Sequence, residues 1–135
     1  MKQILLIHPI GQTFASLFGF YNLITGCTRK WFNIAFHVNC GAIYYFISLF
    51  GAGAGIIVTQ WAEKNNFAID MDAHEICAML LVLLLALGAT TGFVMLSNVN
   101  KRKALIKYHR WVNIIGYLLF CFQGITGIIT LLKIY

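Results

Sequence analysis

Four long apolar segments, separated by short polar stretches, constrain this chain more than any other feature. They run from about residues 8–28, 31–60, 73–97 and 104–133. A helix needs about 20 apolar residues, at about 1.5 Å of rise each, to cross the hydrocarbon of a bilayer. Each segment reaches that length. The charged fraction is 10%, with a mean hydropathy of +0.79, where a soluble domain normally carries about 25%. Such a chain cannot clothe a water-facing surface. The expected fold is all-α, an integral membrane four-helix antiparallel bundle, with residues 1–135 forming one domain.

The segments differ in character. The first is the least apolar, with Gln12, Thr13, Asn22 and Thr25 inside it, and it opens at Pro9. Proline suits a first helical turn because its missing N–H would be unpaired there anyway. The centre of the third, 78–87, has no polar side chain. Segments two and four exceed a single span and are expected to tilt or to extend beyond the hydrocarbon. Trp31, Trp61, Trp111, Tyr108 and Tyr135 fall near the segment ends, where amphipathic rings anchor at the interface. The run Ile4–Ile7 after Met1-Lys2-Gln3 is too short for the apolar region of a cleaved signal peptide.

The net charge of +6 is distributed as a topology signal. Arg29 and Lys30 lie between segments one and two. Lys101, Arg102 and Lys103 lie between three and four, with Lys107 and Arg110 close behind. The stretch between segments two and three, with Glu63, Lys64, Asp70, Asp72 and Glu75, is net acidic. Basic loops stay in the cytoplasm, so both termini and the acidic loop are expected outside, in a prokaryotic cytoplasmic (inner) membrane. Lipid, rather than nucleic acid, is the partner this pattern implies. The four cysteines, Cys27, Cys40, Cys77 and Cys121, form neither Cys-x-x-Cys nor Cys-x-x-Cys-His, which excludes covalent c-type haem attachment. They read as small apolar packing residues.

Each segment carries one histidine near its start: His8, His37, His74 and His109. Because direction reverses at every helix, the four sort into two levels. His8 and His74 fall toward the outer face, His37 and His109 toward the inner. Eighteen residues after each histidine stands a glycine: Gly26, Gly55, Gly92 and Gly127. Eighteen residues are five helical turns, or about 27 Å. Gly55 and Gly127 thereby reach the level of His8 and His74, and Gly26 and Gly92 that of His37 and His109.

Two histidines facing each other across a bundle can ligate a haem iron axially, and glycine removes the Cβ that would collide with a macrocycle. The pattern therefore reads as two b-type haems, with His8 and His74 on the iron of one and His37 and His109 on the iron of the other. Glycine as a helix-packing device and histidine as an interfacial group are the plainer alternatives. A structural metal site would want further Cys or carboxylate ligands at close spacing. A proton relay would place titratable groups at mid-membrane as well. Bis-His ligation leaves no open iron position, which implies outer-sphere one-electron transfer with a quinone, a quinol or a soluble redox partner at a haem edge.

The strings His8-Pro9-Ile10-Gly11, His37-Val38-Asn39-Cys40-Gly41, His109-Arg110-Trp111 and Gln123-Gly124-Ile125-Thr126-Gly127, set in four helices, resemble the cytochrome b561 / ferric reductase transmembrane superfamily. The resemblance is closest to its small four-helix prokaryotic members and covers essentially the whole chain. It implies transmembrane electron transfer through two b haems, with quinones, ascorbate, superoxide or a partner protein exchanging electrons. It gives the same ligand pairs. Two departures stand out: the six-helix eukaryotic members have extra helices and ascorbate-side motifs absent here, and Pro9 disfavours helical geometry at His8, placing His8 at a helix cap.

Arg110, Lys103, Arg29 and Lys30 are candidate propionate partners inside, and Lys64 and Gln60 outside. Glu75, beside His74, is a candidate acceptor for a quinol proton. Asn22, Asn39 and Gln123 are amides at membrane level, suited to helix–helix hydrogen bonds as much as to a ligand. Whether the chain is a freestanding oxidoreductase or the membrane subunit of a larger redox complex, alongside a cytochrome or iron–sulfur partner, stays open at this level. The rival function classes are a haem-free small transporter or channel whose histidines bind protons or metal ions, and a structural assembly factor.

Overall fold

Helices form wherever the apolar segments run, and asparagine side chains cap two of their starts. The computed structural model describes residues 6–28, 32–65 and 72–134. Helix α1 spans Ile7–Thr28, α2 Ile34–Lys64, α3 Asp72–Ser97 and α4 Val99–Ile134. Asn33, in an extended conformation, accepts from the Phe36 amide at 3.1 Å and starts α2. Asn98 is the single residue between α3 and α4, and its Oδ1 accepts from the amides of Asn100 and Lys101 at 3.1 and 3.3 Å. Asparagine is favoured at these positions because its side chain satisfies amides that the first turn leaves unpaired.

These caps move two boundaries. Helix α4 begins at Val99 rather than near residue 104, so the basic run Lys101-Arg102-Lys103 is helical. Helix α2 starts at Ile34 and continues to Lys64, past Gln60. At the N-terminus His8 lies within the first turn of α1 rather than outside it. The steric preference against helical geometry before proline yields here to a proline seated in the first turn, where no amide is needed. Arg29, Lys30, Trp31, Asp70 and Tyr135 lie outside the described residues.

Three helices, α2, α3 and α4, are long and apolar enough to cross a membrane. Helix α1, 22 residues long, carries the polar residues noted above and packs inside the same bundle. The outer surface is apolar: Phe46 and Phe50 are each 72% exposed and Phe93 is 71% exposed. Side chains of this size turned outward all round the bundle suit lipid and not water.

The four helices form a square. The hairpins α1/α2 and α3/α4 pack most closely, α1/α4 and α2/α3 close the ring, and the diagonals scarcely touch. A core of Ala15, Tyr44, Leu81, Leu85 and Phe120 fills the centre, with Phe18, Tyr45, Ile47 and Leu119 packed on it. Each of these core residues sits about midway along its helix between the histidine and the following glycine. The core thus separates two levels, one at each end of the bundle.

Candidate haem site

The histidines of each level lie on diagonally opposed helices: His8 on α1 and His74 on α3, His37 on α2 and His109 on α4. His8 and His74 are within electrostatic range of one another, as are His37 and His109. Because the diagonals stay apart, the space between paired imidazoles is not closed by helix packing. At the inner level this space is a cavity of about 750 Å³, bounded by His37, His109, Gly26, Gly92, Tyr45 and Asn113. Asn22, Arg102 and Arg110 also border it. The volume is within the usual range for a cofactor pocket.

The glycines fall at their expected levels but have a nearer neighbour than a macrocycle. A Cβ built on Gly55 would lie 3.2 Å from His8 Cε1, and one on Gly26 3.3 Å from His37 Cε1. One on Gly92 would lie 3.3 Å from His109 Cε1, and one on Gly127 3.2 Å from His74 Cε1. Each glycine therefore stands against the imidazole of its hairpin partner helix. The Cε1 corner of each ring abuts a backbone that has no side chain to displace it, which limits where the imidazole can sit.

Hydrogen bonds then fix which nitrogen is free. His8 Nδ1 is 2.8 Å from the Gly51 carbonyl oxygen, which can only accept, so Nδ1 carries the proton. Thr91 Oγ1 is 3.0 Å from His109 Nδ1, while it donates its single proton to the Leu87 carbonyl at 2.8 Å. Thr126 Oγ1 is 2.9 Å from His74 Nδ1 and donates to the Gln123 carbonyl at 3.0 Å. A hydroxyl whose proton is committed to its own helix offers the imidazole only a lone pair. These partners favour hydrogen on Nδ1 and an unprotonated Nε2 in all three rings; at His109 the Asn113 amide nitrogen lies 3.5 Å from Nε2. Hydrogen on Nδ1 is the tautomer a metal-ligating histidine needs, with its other nitrogen held by an outer partner. His37 Nδ1 is buried and has no hydrogen-bond partner.

A second set of contacts holds His109 from its own helix. Asn113 Nδ2 donates to the His109 carbonyl at 2.8 Å, and Asn113 Oδ1 accepts from Tyr45 Oη at 2.6 Å. At the outer level Gln123 Nε2 donates to the His74 carbonyl at 2.9 Å. Gln123 and Asn22 are thereby placed at the two sites, whereas Asn39 is exposed. Glu75 is exposed next to His74, and Lys103, Lys64 and Gln60 are exposed as well. Among the described residues no group of three or more His, Cys, Asp or Glu side chains converges on a common point. The four cysteines are free thiols.

Several residues of the site carry no signal as individual residue types in the sequence. These are the Gly51 carbonyl, Asn113, Tyr45 and Arg102. Thr91 and Thr126 are different, because each immediately precedes its glycine. The dipeptide Thr-Gly occurs at 25–26, 91–92 and 126–127, a repeat that marks hydroxyl and glycine as one unit facing an imidazole.

At the level of His37 and His109 the residues present fit a haem, with paired imidazoles, a cavity between them and glycine where a side chain would intrude; at the level of His8 and His74 the paired imidazoles and the glycine contacts recur. The family model described as Eukaryotic cytochrome b561 matches residues 9–133. Comparison with curated proteins and with solved structures returns no match.

Proposed function

We propose that this chain, which belongs to the cytochrome b561 family, carries two b-type haems and passes electrons between the two faces of a membrane. Haem-based electron transfer across a membrane comes with the family. The count of two rests on one observation above all: imidazoles of diagonal helices are paired at both ends of the bundle, and the same glycine contact recurs at each. His8 and His74 would hold the outer haem, His37 and His109 the inner. A bis-imidazole haem supplies a one-electron carrier with no open coordination position.

The chain's own groups account for the rest. Gly51, Thr91 and Thr126 orient three of the imidazoles and keep Nε2 unprotonated. Gly26, Gly55, Gly92 and Gly127 keep the rings seated against bare backbone. Arg102 and Arg110, both bordering the inner cavity, are suited to carboxylates of the cofactor at that face. The central core of Tyr44, Leu85 and Phe120 excludes water between the levels, which keeps proton movement apart from electron movement. Electrons enter and leave by a quinone or quinol, or a redox partner, docked at a haem edge. Glu75 is the acceptor for a quinol proton at the outer end. The basic residues of α4 favour the cytoplasmic side for the inner level, in a prokaryotic inner membrane on this reading, with the chain acting alone or as the membrane subunit of a redox complex.

The test is a reduced-minus-oxidised visible spectrum of the detergent-purified chain with haem quantified per protein. The expected result is a b-type α-band at two haems per chain. The ratio should fall to one in His37→Ala and His109→Ala alike, and to one in His8→Ala and His74→Ala. A folded, colourless protein would overturn the assignment and return the histidines to the transporter reading. A ratio of one, lost only on mutating a single level, would remove the second station.

A further inference from the structure

Three of the four imidazoles have an acceptor at Nδ1, and the fourth, His37, is a buried donor with none. Its surroundings nonetheless repeat those of His74 and His109. In α3 and α4 the acceptor is the threonine directly before the glycine that touches the ring. In α1 the same place is taken by Thr25, directly before Gly26, and Gly26 meets His37 Cε1 at the same close range as the other pairs.

Thr25 also has the same internal arrangement. Its side chain is buried, 2% exposed, and its hydroxyl donates to the Tyr21 carbonyl at 2.9 Å. The single proton is committed to the helix, so the hydroxyl faces its surroundings as an acceptor, as Thr91 and Thr126 do. The ring of His37 leans instead on Phe32, with ring centres 5.2 Å apart. Rotation about the Cβ–Cγ bond of histidine is soft and broad. Turning the ring in place, with Cε1 kept against Gly26, changes what Nδ1 faces without moving a helix.

We propose that Thr25 is the positioning residue for His37: in the haem-loaded protein its hydroxyl accepts the hydrogen bond from His37 Nδ1, giving every ligating imidazole a fixed tautomer. The inference rests on the reading of His37 as an axial ligand. Asn22 is the competing acceptor, since its Oδ1 is also buried and unpartnered. One feature favours the threonine: the Thr-Gly unit recurs in both other helices that use a hydroxyl, with Thr91 and Thr126 each within 3.0 Å of an imidazole Nδ1. Loss of an Nδ1 hydrogen bond makes an imidazole a weaker donor to iron and disfavours the ferric state. The reduction potential of that haem then rises.

The experiment is a potentiometric titration of the full-length holoprotein, reading each haem by its visible band, for wild type, Thr25→Val, Thr25→Ser and Asn22→Leu. The component missing in His37→Ala identifies the inner haem. Thr25→Val should lower its ferric-over-ferrous preference about tenfold, an upward shift of about 59 mV for a one-electron couple. Thr25→Ser should hold the wild-type value, and Thr91→Val should move the same component in the same direction. Thr90→Val, exposed and bonded to the Ala86 carbonyl at 2.8 Å, should leave it in place. Loss of the inner haem in Thr25→Val with retention in Thr25→Ser supports the proposal equally. An unchanged potential in Thr25→Val, equal effects of Val and Ser, or a shift confined to Asn22→Leu would overturn it. A His37→Ala protein that keeps both haems would instead overturn the ligand assignment itself, which separates the two failures.

Discussion

Replacing Gly92 by alanine puts a methyl group where the structure leaves 3.3 Å to His109 Cε1 and 3.8 Å to Nδ1. Carbon atoms pack best at roughly 3.5–4.0 Å, so the ring must retreat by at least about 0.2 Å. In the empty protein the imidazole can swing away, and the helix gains: alanine exceeds glycine in helix propensity by about 1 kcal/mol. With haem bound the ring is held at Nε2 by iron and at Nδ1 by Thr91, 3.0 Å away. It then has nowhere to go without stretching one bond or the other. Disturbing an outer partner of a metal ligand typically costs about 10–100-fold in affinity, or about 1.4–2.8 kcal/mol. The two effects have separate readouts. Thermal melting of the apoprotein in detergent should be unchanged or slightly raised, while haemin titration of the same sample shows the loss. Gly124→Ala is the internal control, because nothing lies within 4 Å of the added Cβ, and it should bind haem as wild type does. If Gly92→Ala and Gly124→Ala take up haem identically, the glycine is a helix-packing residue and the seating argument fails.

Tyr45→Phe removes the donor to Asn113 Oδ1 and leaves that atom unsatisfied, a loss of about 1–3 kcal/mol. The apoprotein melting temperature should fall, and Tyr45→Phe combined with Asn113→Leu should recover part of it. Asn98→Ala deletes the cap between α3 and α4 and should cost about 0.5–2 kcal/mol, seen as faster amide exchange at residues 99–102 with the haem spectrum unchanged. Arg102→Gln and Arg110→Gln each withdraw a cation from the border of the inner cavity. Each should lower the potential of the inner haem while leaving the outer one in place, a difference that shrinks as salt is raised.

Apolar segment length and the scarcity of charge were sufficient to give an all-α membrane bundle, because a bilayer admits only structures whose backbone groups are satisfied internally. The periodicity of an ideal helix was also sufficient to put Gly26 and Gly92 at the level of His37 and His109, and Gly55 and Gly127 at that of His8 and His74. Rise per residue is a property of the backbone and needs no neighbours. What a single helix cannot contain is the identity of its neighbour. Which imidazole each glycine faces follows from the pairing of α1 with α2 and of α3 with α4. The Gly51 carbonyl becomes a histidine acceptor only because α1 lies against α2 there, and Thr91 and Thr126 become outer partners only through the packing of α3 on α4. The start of α4 at Val99 likewise depended on one Asn98 side chain folding back onto two amides, a local geometry that the apolar pattern passes over. Spacing along the chain determined the levels; contact between neighbouring helices decided the hydrogen bonds at Nδ1 of His8, His74 and His109, because tautomer is set by the partner a ring meets and not by its place in the sequence.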